Sequence, residues 1–219
     1  LGYALLNLAQ AIDDPHHAQE GESRRREAEK ALLRAAELGV VISGTGIRNN
    51  FASPDPKVRE EGVLLAKKWI VAASKMGAPI VRVFAGEVPK GYEDKWDEVA
   101  GWMIACFKEC AAYGEQHGVK IGIQNHGDML QTADQCLYVM KAVNSKWAGL
   151  IVDTGSFKTP DPYKDIAAVV PYAINWQVKA FVEATPISGP ASVCSTVSLS
   201  RAIVEVGTLT TEIVWTPSP

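Results

Sequence analysis

The sequence lacks the features that would assign it to several specialised classes of protein. It has no basic stripe, and its 22 Lys and Arg residues are outnumbered by 25 Asp and Glu, which gives a net charge of −3. Nucleic acid is therefore not an expected partner. The apolar runs are short and broken by charge, so no membrane span is predicted. Residues 1–10 contain neither a basic region nor a cleavage pattern, and we expect no signal peptide and a cytoplasmic location.

Thiols and imidazoles are also scarce, with four cysteines and four histidines in 219 residues. Cys106 and Cys110 have the i, i+4 spacing of one helix face, which could be half of a metal site. No second thiol or histidine pair with matching spacing accompanies them. We therefore predict ordinary reduced thiols at all four positions, Cys136 and Cys194 included, as is usual in a cytoplasmic protein.

What the sequence does contain is a regular alternation of two hydrophobic periods. Short apolar runs rich in β-forming residues are followed by longer stretches with the period of a helix. The predicted strands are 40–47, 79–84, 119–124, 149–153, 173–179 and 209–215. The predicted helices are 23–38, 57–76, 94–117, 132–143 and 198–206, with a shorter one at 163–169.

This alternation predicts one α/β domain over residues 1–219, built on a parallel sheet with right-handed crossovers. A doubly wound sheet and a barrel both fit the pattern. No glycine-rich phosphate motif follows the first strand, which disfavours a dinucleotide-binding domain. Six strand candidates are fewer than the eight of a full barrel of about 250 residues. We therefore predict a (β/α)8 TIM barrel that is incomplete, with its first unit missing and an irregular C-terminal part.

Polar residues recur where the predicted strands end, which is the end at which parallel α/β barrels carry their functional groups. Each residue alone would be unremarkable, but together they predict a polar cavity mouth. In chain order they are Arg48, Arg82, Gln124, Asn125, His126, Asp153, Asn175, Gln177, Lys179 and Glu212.

Three of these strand ends carry a family resemblance. Residues 119–128 (VKIGIQNHGD), 152–157 (VDTGSF) and 175–179 (NWQVK) resemble the sugar isomerase/epimerase family with a xylose isomerase-like barrel. Residues 209–213 (LTTEI) look like its last ligand strand. The resemblance implies a divalent metal, Mn²⁺ or Mg²⁺, held by Glu, Asp, His and Glu. The corresponding positions here are Gln124, Asp153, Gln177 and Glu212.

Two of these four positions depart from the family pattern, because Gln stands in place of the first Glu and of the His. Amide oxygens can ligate hard cations, so a site for Mg²⁺, Mn²⁺ or Ca²⁺ stays open, with lower affinity. Gln124 cannot accept a proton usefully, so the candidate catalytic bases are Glu212 and His126. Lys179 would stabilise an enediolate oxygen. The candidate substrate contacts are Arg48, Arg82, Asn125 and Asn175.

The resemblance implies a metal-assisted carbohydrate isomerase or epimerase that moves a proton next to a sugar carbonyl. The two Gln replacements keep open a second reading, a non-catalytic or degenerate carbohydrate-binding homologue. A nuclease with the same fold is a third reading, but a multi-metal nuclease site needs several histidines, and the net charge opposes DNA. An open barrel exposes unpaired strand edges, which favours a homo-oligomer.

Overall fold

The computed structural model describes residues 30, 33–34, 37–39, 41–127 and 129–178. From residue 41 onward, parallel strands alternate with helices. The elements in chain order are β1 (Thr45–Gly46), α1 (Pro56–Met76), β2 (Ile80–Phe84), α2 (Trp96–His117), β3 (Lys120–Gln124), α3 (Ala133–Val143), β4 (Ala148–Asp153), α4 (Pro162–Val169) and β5 (Ala173–Gln177). A 3-10 turn, Val170–Tyr172, joins α4 to β5.

The strand order identifies the sheet as barrel-like. The five strands lie in the order β1-β2-β3-β4-β5, and each pairs in parallel with the next along the chain. A doubly wound sheet would reverse direction at a switch point, whereas a barrel wall continues in one direction. The predicted α/β barrel fold is therefore confirmed, with five of its strands in the described residues. The predicted helix 198–206 and strand 209–215 lie outside them.

The helix boundaries follow from local capping chemistry. Asp55 accepts a 2.9 Å hydrogen bond from the Lys57 N–H, and Pro56 occupies the first turn, where its missing N–H costs nothing. Gly118 ends α2 with φ of 69°, a left-handed conformation that glycine adopts without steric cost. Thr132 and Gln135 form a capping box at the start of α3. These ends agree with the predicted helices to within a few residues.

The sheet has one apolar face toward the helices and a second face that carries the polar strand ends. Alternate residues of the central strands are fully buried in the helix–sheet core, namely Val81, Val83, Ile121, Ile123, Leu150 and Val152. Because strand side chains alternate between faces, the intervening positions point to the other side. That second face carries Arg82, Gln124 and Asp153.

The cysteines of the described part are free thiols in the core. Cys106, Cys110 and Cys136 are free and buried. Burial raises the pKa of Cys106 to about 11 and the pKa of Cys110 and of Cys136 to about 12, so these thiols stay protonated and unreactive near neutral pH. Cys194 lies outside the described residues. In the same part of the chain, no helix is long and apolar enough to cross a membrane.

Two glycines of α2 provide a test of this packing. A Cβ on buried Gly114 would lie 2.3 Å from the Val119 carbonyl oxygen, whereas a Cβ on exposed Gly101 would meet nothing within 4 Å. We expect Gly114→Ala to lower the free energy of unfolding by about 1–3 kcal/mol, because the backbone must shift. Gly101→Ala should raise it by up to about 1 kcal/mol through helix propensity. Urea denaturation measures both, and equal effects would contradict the packing.

Candidate functional site

Three polar side chains from adjacent strands contact one another where β3, β4 and β5 end. Gln124 donates from Nε2 to Asp153 Oδ2 at 2.9 Å and also to Gln177 Oε1. Asp153 and Gln177 are paired across β4 and β5. Gln124 is 2% exposed and Asp153 is fully buried. We call these three residues the polar centre. Three of the four positions that the family resemblance assigned to a metal are thus brought together.

The hydrogen bonds define which way the Gln124 amide faces. A carboxylate oxygen only accepts hydrogen bonds, so the Gln124 atom beside Asp153 must be the amide nitrogen. Both amide hydrogens are then used inside the centre, one by Asp153 and one by Gln177. Gln124 Oε1 is left buried without a hydrogen-bond partner among the described residues. It is therefore an open acceptor at the strand ends.

His126 extends the polar centre toward the surface. Its Nδ1 lies 3.4 Å from Asp153 Oδ2 and 3.3 Å from Ser156 Oγ, and its side chain is about half exposed. The backbone N–H of Gly155 donates to the other carboxylate oxygen of Asp153 at 3.2 Å. The Asp153 carboxylate therefore accepts a hydrogen bond from Gln124 and lies beside His126. With Nδ1 next to the carboxylate, Nε2 is the ring nitrogen on the side away from Asp153.

Asn125 holds the backbone that carries Asp153. Its Nδ2 donates to the Asp153 carbonyl at 3.0 Å, and its Oδ1 accepts from the Asp153 N–H at 2.7 Å. Asn49 makes the same reciprocal pair with the backbone of Phe84, at 2.8 and 2.9 Å. An asparagine after β1 and another after β3 thus each tie their strand end to the next strand. Both the nitrogen and the oxygen of the Asn125 amide bind the Asp153 backbone. The contact between Asn125 and a substrate stays a prediction.

Arg82 and Phe84 border the centre on the β2 side. The Arg82 guanidinium carbon lies 4.5 Å from the centroid of the Phe84 ring, and that ring lies 5.5 Å from the His126 ring. Burial lowers the pKa of Arg82, although a guanidinium remains a cation at neutral pH. Gly46 provides the space, since a Cβ there would lie 2.9 Å from Arg82 Nε. Arg82 is therefore a partly desolvated cation near the centre.

The other predicted site residues are less closely associated with the centre. Asn175 is half-buried on β5, and its Oδ1 accepts from the Trp176 N–H at 2.7 Å. Arg48 follows β1 and is exposed. Lys179 and Glu212 lie outside the described residues. The roles predicted for these four residues stay predictions.

The sequence reading missed Asn49, Phe84 and Ser156 as site-forming residues. Ser156 had a detectable signal, because it belongs to the strand-end segment 152–157 and lies three residues after Asp153. Asn49 had a weaker signal, because it is an Asn that lies shortly after a strand, as Asn125 lies directly after β3. Nothing in the pattern indicated Phe84, whose ring reaches His126 only through the sheet register.

The donors of the polar centre do not fit a divalent metal as they are arranged. They comprise one carboxylate and two amides. A cation bound to Asp153 Oδ2 and Gln177 Oε1 would need the position that the Gln124 amide hydrogens occupy. Within residues 41–127 and 129–178, no cluster of three or more His, Cys, Asp or Glu could hold a metal ion.

Fold and site together define an α/β barrel protein with a polar centre at the ends of its strands. The family model described as "Xylose isomerase-like TIM barrel" matches residues 2–194, which is most of the chain. The chain belongs to this family. No curated protein sequence matches it significantly.

Its structural neighbours are sugar epimerases and isomerase-like proteins. D-psicose 3-epimerase from Clostridium cellulolyticum H10, solved with D-tagatose, is 14% identical with a TM-score of 0.67, over 94% of this chain and 75% of that one. A D-tagatose 3-epimerase-like protein is 19% identical with a TM-score of 0.58, over 70% of this chain and 60% of that one. A xylose isomerase-like barrel protein from Mycobacterium smegmatis, solved with magnesium, is 21% identical with a TM-score of 0.56, over 78% of this chain and 58% of that one.

These identities show a shared fold and nothing finer. The chain spans less than two thirds of the length of two of these three neighbours. Metal is bound in one of them, whereas the donors described here do not fit a cation as arranged.

Proposed function

We propose that the protein is a carbohydrate isomerase or epimerase that moves a proton on the carbon next to a sugar carbonyl. The observation that carries the proposal is the contact between His126 and buried Asp153 at the end of β4. Support comes from the family, because one neighbour of the same fold is named a D-psicose 3-epimerase and another a D-tagatose 3-epimerase-like protein.

His126 is the proton-transfer group in this proposal. A carboxylate beside Nδ1 favours the tautomer that carries its proton on Nδ1, which leaves Nε2 free to accept a proton. Asp153 also stabilises the imidazolium that forms when Nε2 takes the proton, as in other His–carboxylate pairs. Ser156 Oγ, 3.3 Å from Nδ1, helps to hold the ring. Removal of the proton next to the carbonyl generates an enediolate. Returning the proton to the opposite face of the same carbon gives the epimer. Returning it to the neighbouring carbon gives the isomer, once the hydroxyl proton has passed from one oxygen to the other.

The developing enediolate needs positive charge, and the substrate hydroxyls need partners. Arg82 is a partly buried cation that stacks on Phe84, whose ring lies beside His126. Gln124 Oε1 is a buried acceptor for a hydroxyl donor. The proposal also includes Lys179 as a second cation and Glu212 as a second acid–base group. Both assignments rest on the sequence resemblance. The resemblance also implies Mn²⁺ or Mg²⁺, but the proposed reaction does not use a metal.

We further propose a small-molecule sugar or sugar derivative as the substrate, with no nucleic-acid or membrane partner. A cytoplasmic location and a homo-oligomer stay predictions from the sequence.

Solvent exchange tests the proposed activity. A panel of ketoses and keto-sugars is incubated with the protein in D₂O, with EDTA or with added Mn²⁺, and followed by NMR. We expect deuterium to replace hydrogen on the carbon next to the carbonyl of at least one sugar. No incorporation into any member of the panel in either buffer would contradict the proposed activity.

A second candidate is a carbohydrate-binding protein without catalysis. It is favoured by Gln124, which stands where the resemblance places one of two acid–base carboxylates. It predicts that a ketose binds in calorimetry while its C–H protons do not exchange.

A further inference from the structure

We propose that the Gln124 carboxamide takes the place of a metal ion in this site. Its two amide hydrogens hold Asp153 Oδ2 and Gln177 Oε1 together, and its oxygen is left to accept a hydrogen bond from a ligand hydroxyl. The first part stands on the hydrogen bonds of the polar centre alone. The part about the ligand rests on the proposed function.

The polar centre needs a donor between its acceptors. Asp153 Oδ2 and Gln177 Oε1 are both acceptors, and a carboxylate buried to this degree is costly unless donors surround it. A divalent cation would satisfy both oxygens in the same way, by placing positive charge between them. The Gln124 NH₂ group donates one hydrogen bond to each of these oxygens and carries no net charge. Amide and cation therefore compete for the same two oxygens.

The orphaned oxygen of Gln124 gives the second, independent observation. The side chain is 2% exposed, and Oε1 has no hydrogen-bond partner among the described residues. A buried acceptor without a donor is destabilising. A sugar hydroxyl is a neutral donor of suitable size. The site would thus bind a polyhydroxy ligand through the Gln124 amide oxygen, and no cation would polarise the ligand.

The inference predicts an asymmetry between two similar substitutions. Gln124→Glu removes the donor and places a second carboxylate against Asp153, so that a bound cation or a shared proton is needed to relieve the repulsion. Gln177→Glu keeps the donor, because a carboxylate at 177 still accepts from the Gln124 amide. Gln116→Glu, at an exposed position near the C-terminal end of α2, is the matched control for added charge.

Thermal unfolding with and without Mn²⁺ provides the test. In EDTA at pH 8 we expect Gln124→Glu to lower Tm by about 4–10 °C, and Gln177→Glu and Gln116→Glu to lower it by less. About 1 mM Mn²⁺ should restore most of the loss in Gln124→Glu and leave the Tm of the wild type unchanged. In electron paramagnetic resonance, the free Mn²⁺ signal should fall with Gln124→Glu and persist with wild type.

Two results would overturn the inference. One is stoichiometric Mn²⁺ binding by the wild type, which needs no variant to fold. The other is a Tm for Gln177→Glu as low as that for Gln124→Glu. Titration of a ketose in EDTA and in Mn²⁺ should give the same Kd for the wild type. Absence of sugar binding in both buffers would contradict the proposed function, while the Mn²⁺ measurements would still decide the role of Gln124.

Discussion

His126→Gln is expected to slow exchange of the substrate C–H proton with solvent by about 10²- to 10⁴-fold. The substitution keeps a polar side chain of similar length but removes the only described imidazole at the strand ends. Because the ring is half exposed and makes few contacts, the fold should lose little stability. The effect should therefore appear in kcat, with a small change in KM, when deuterium incorporation is followed by NMR.

His117→Gln is the matched control for that experiment. His117 ends α2, next to the start of β3 and so at the opposite end of the strands. We expect its exchange rate to equal that of the wild type. A His126→Gln protein that exchanges as fast as His117→Gln would show that another group moves the proton, and Glu212 would then be the next candidate.

Asn125→Ala is expected to have the largest effect on stability. It leaves the buried Asp153 N–H without its 2.7 Å partner and removes one of the bonds to the Asp153 carbonyl. Unpaired buried backbone groups cost about 1–3 kcal/mol each, so we expect the free energy of unfolding to fall by about 2–4 kcal/mol. Urea denaturation followed by circular dichroism measures the change.

Asn144→Gly serves as the comparison for Asn125→Ala. Asn144 ends α3 with φ of 46°, a left-handed conformation in which glycine is unstrained. We expect a change within about 1 kcal/mol. If Asn125→Ala were as mild as Asn144→Gly, the reciprocal bonds to Asp153 would not be what holds β3 and β4 at this end.

The sequence predicted the course of the chain well because hydrophobic period and capping are local properties. The strand 119–124 and the helix 57–76 are found at Lys120–Gln124 and Pro56–Met76. The first strand was predicted too long, at 40–47, whereas the structure pairs only Thr45–Gly46. Val41 is 72% exposed, so a β-forming residue there has no partner to pair with in the described residues.

The sequence predicted that Gln124, Asp153 and Gln177 would lie together, but it did not predict the hydrogen bonds between them. That Gln124, Asp153 and Gln177 share one end of the sheet follows from parallel strands. That Gln124 is a donor to both of the others depends on side-chain rotamers and on the register between β3, β4 and β5, which no local pattern contains. The hydrogen bonds between Asn125 and the Asp153 backbone were not predicted either, because Asp153 lies 28 residues away in the sequence.

A crystal structure of the protein soaked with D-tagatose in EDTA would test the central claim most directly. The account predicts a sugar hydroxyl within hydrogen-bond distance of Gln124 Oε1 and the carbon next to the carbonyl facing His126 Nε2. A sugar bound away from the ends of β3–β5, or with its reacting carbon out of reach of His126, would contradict it.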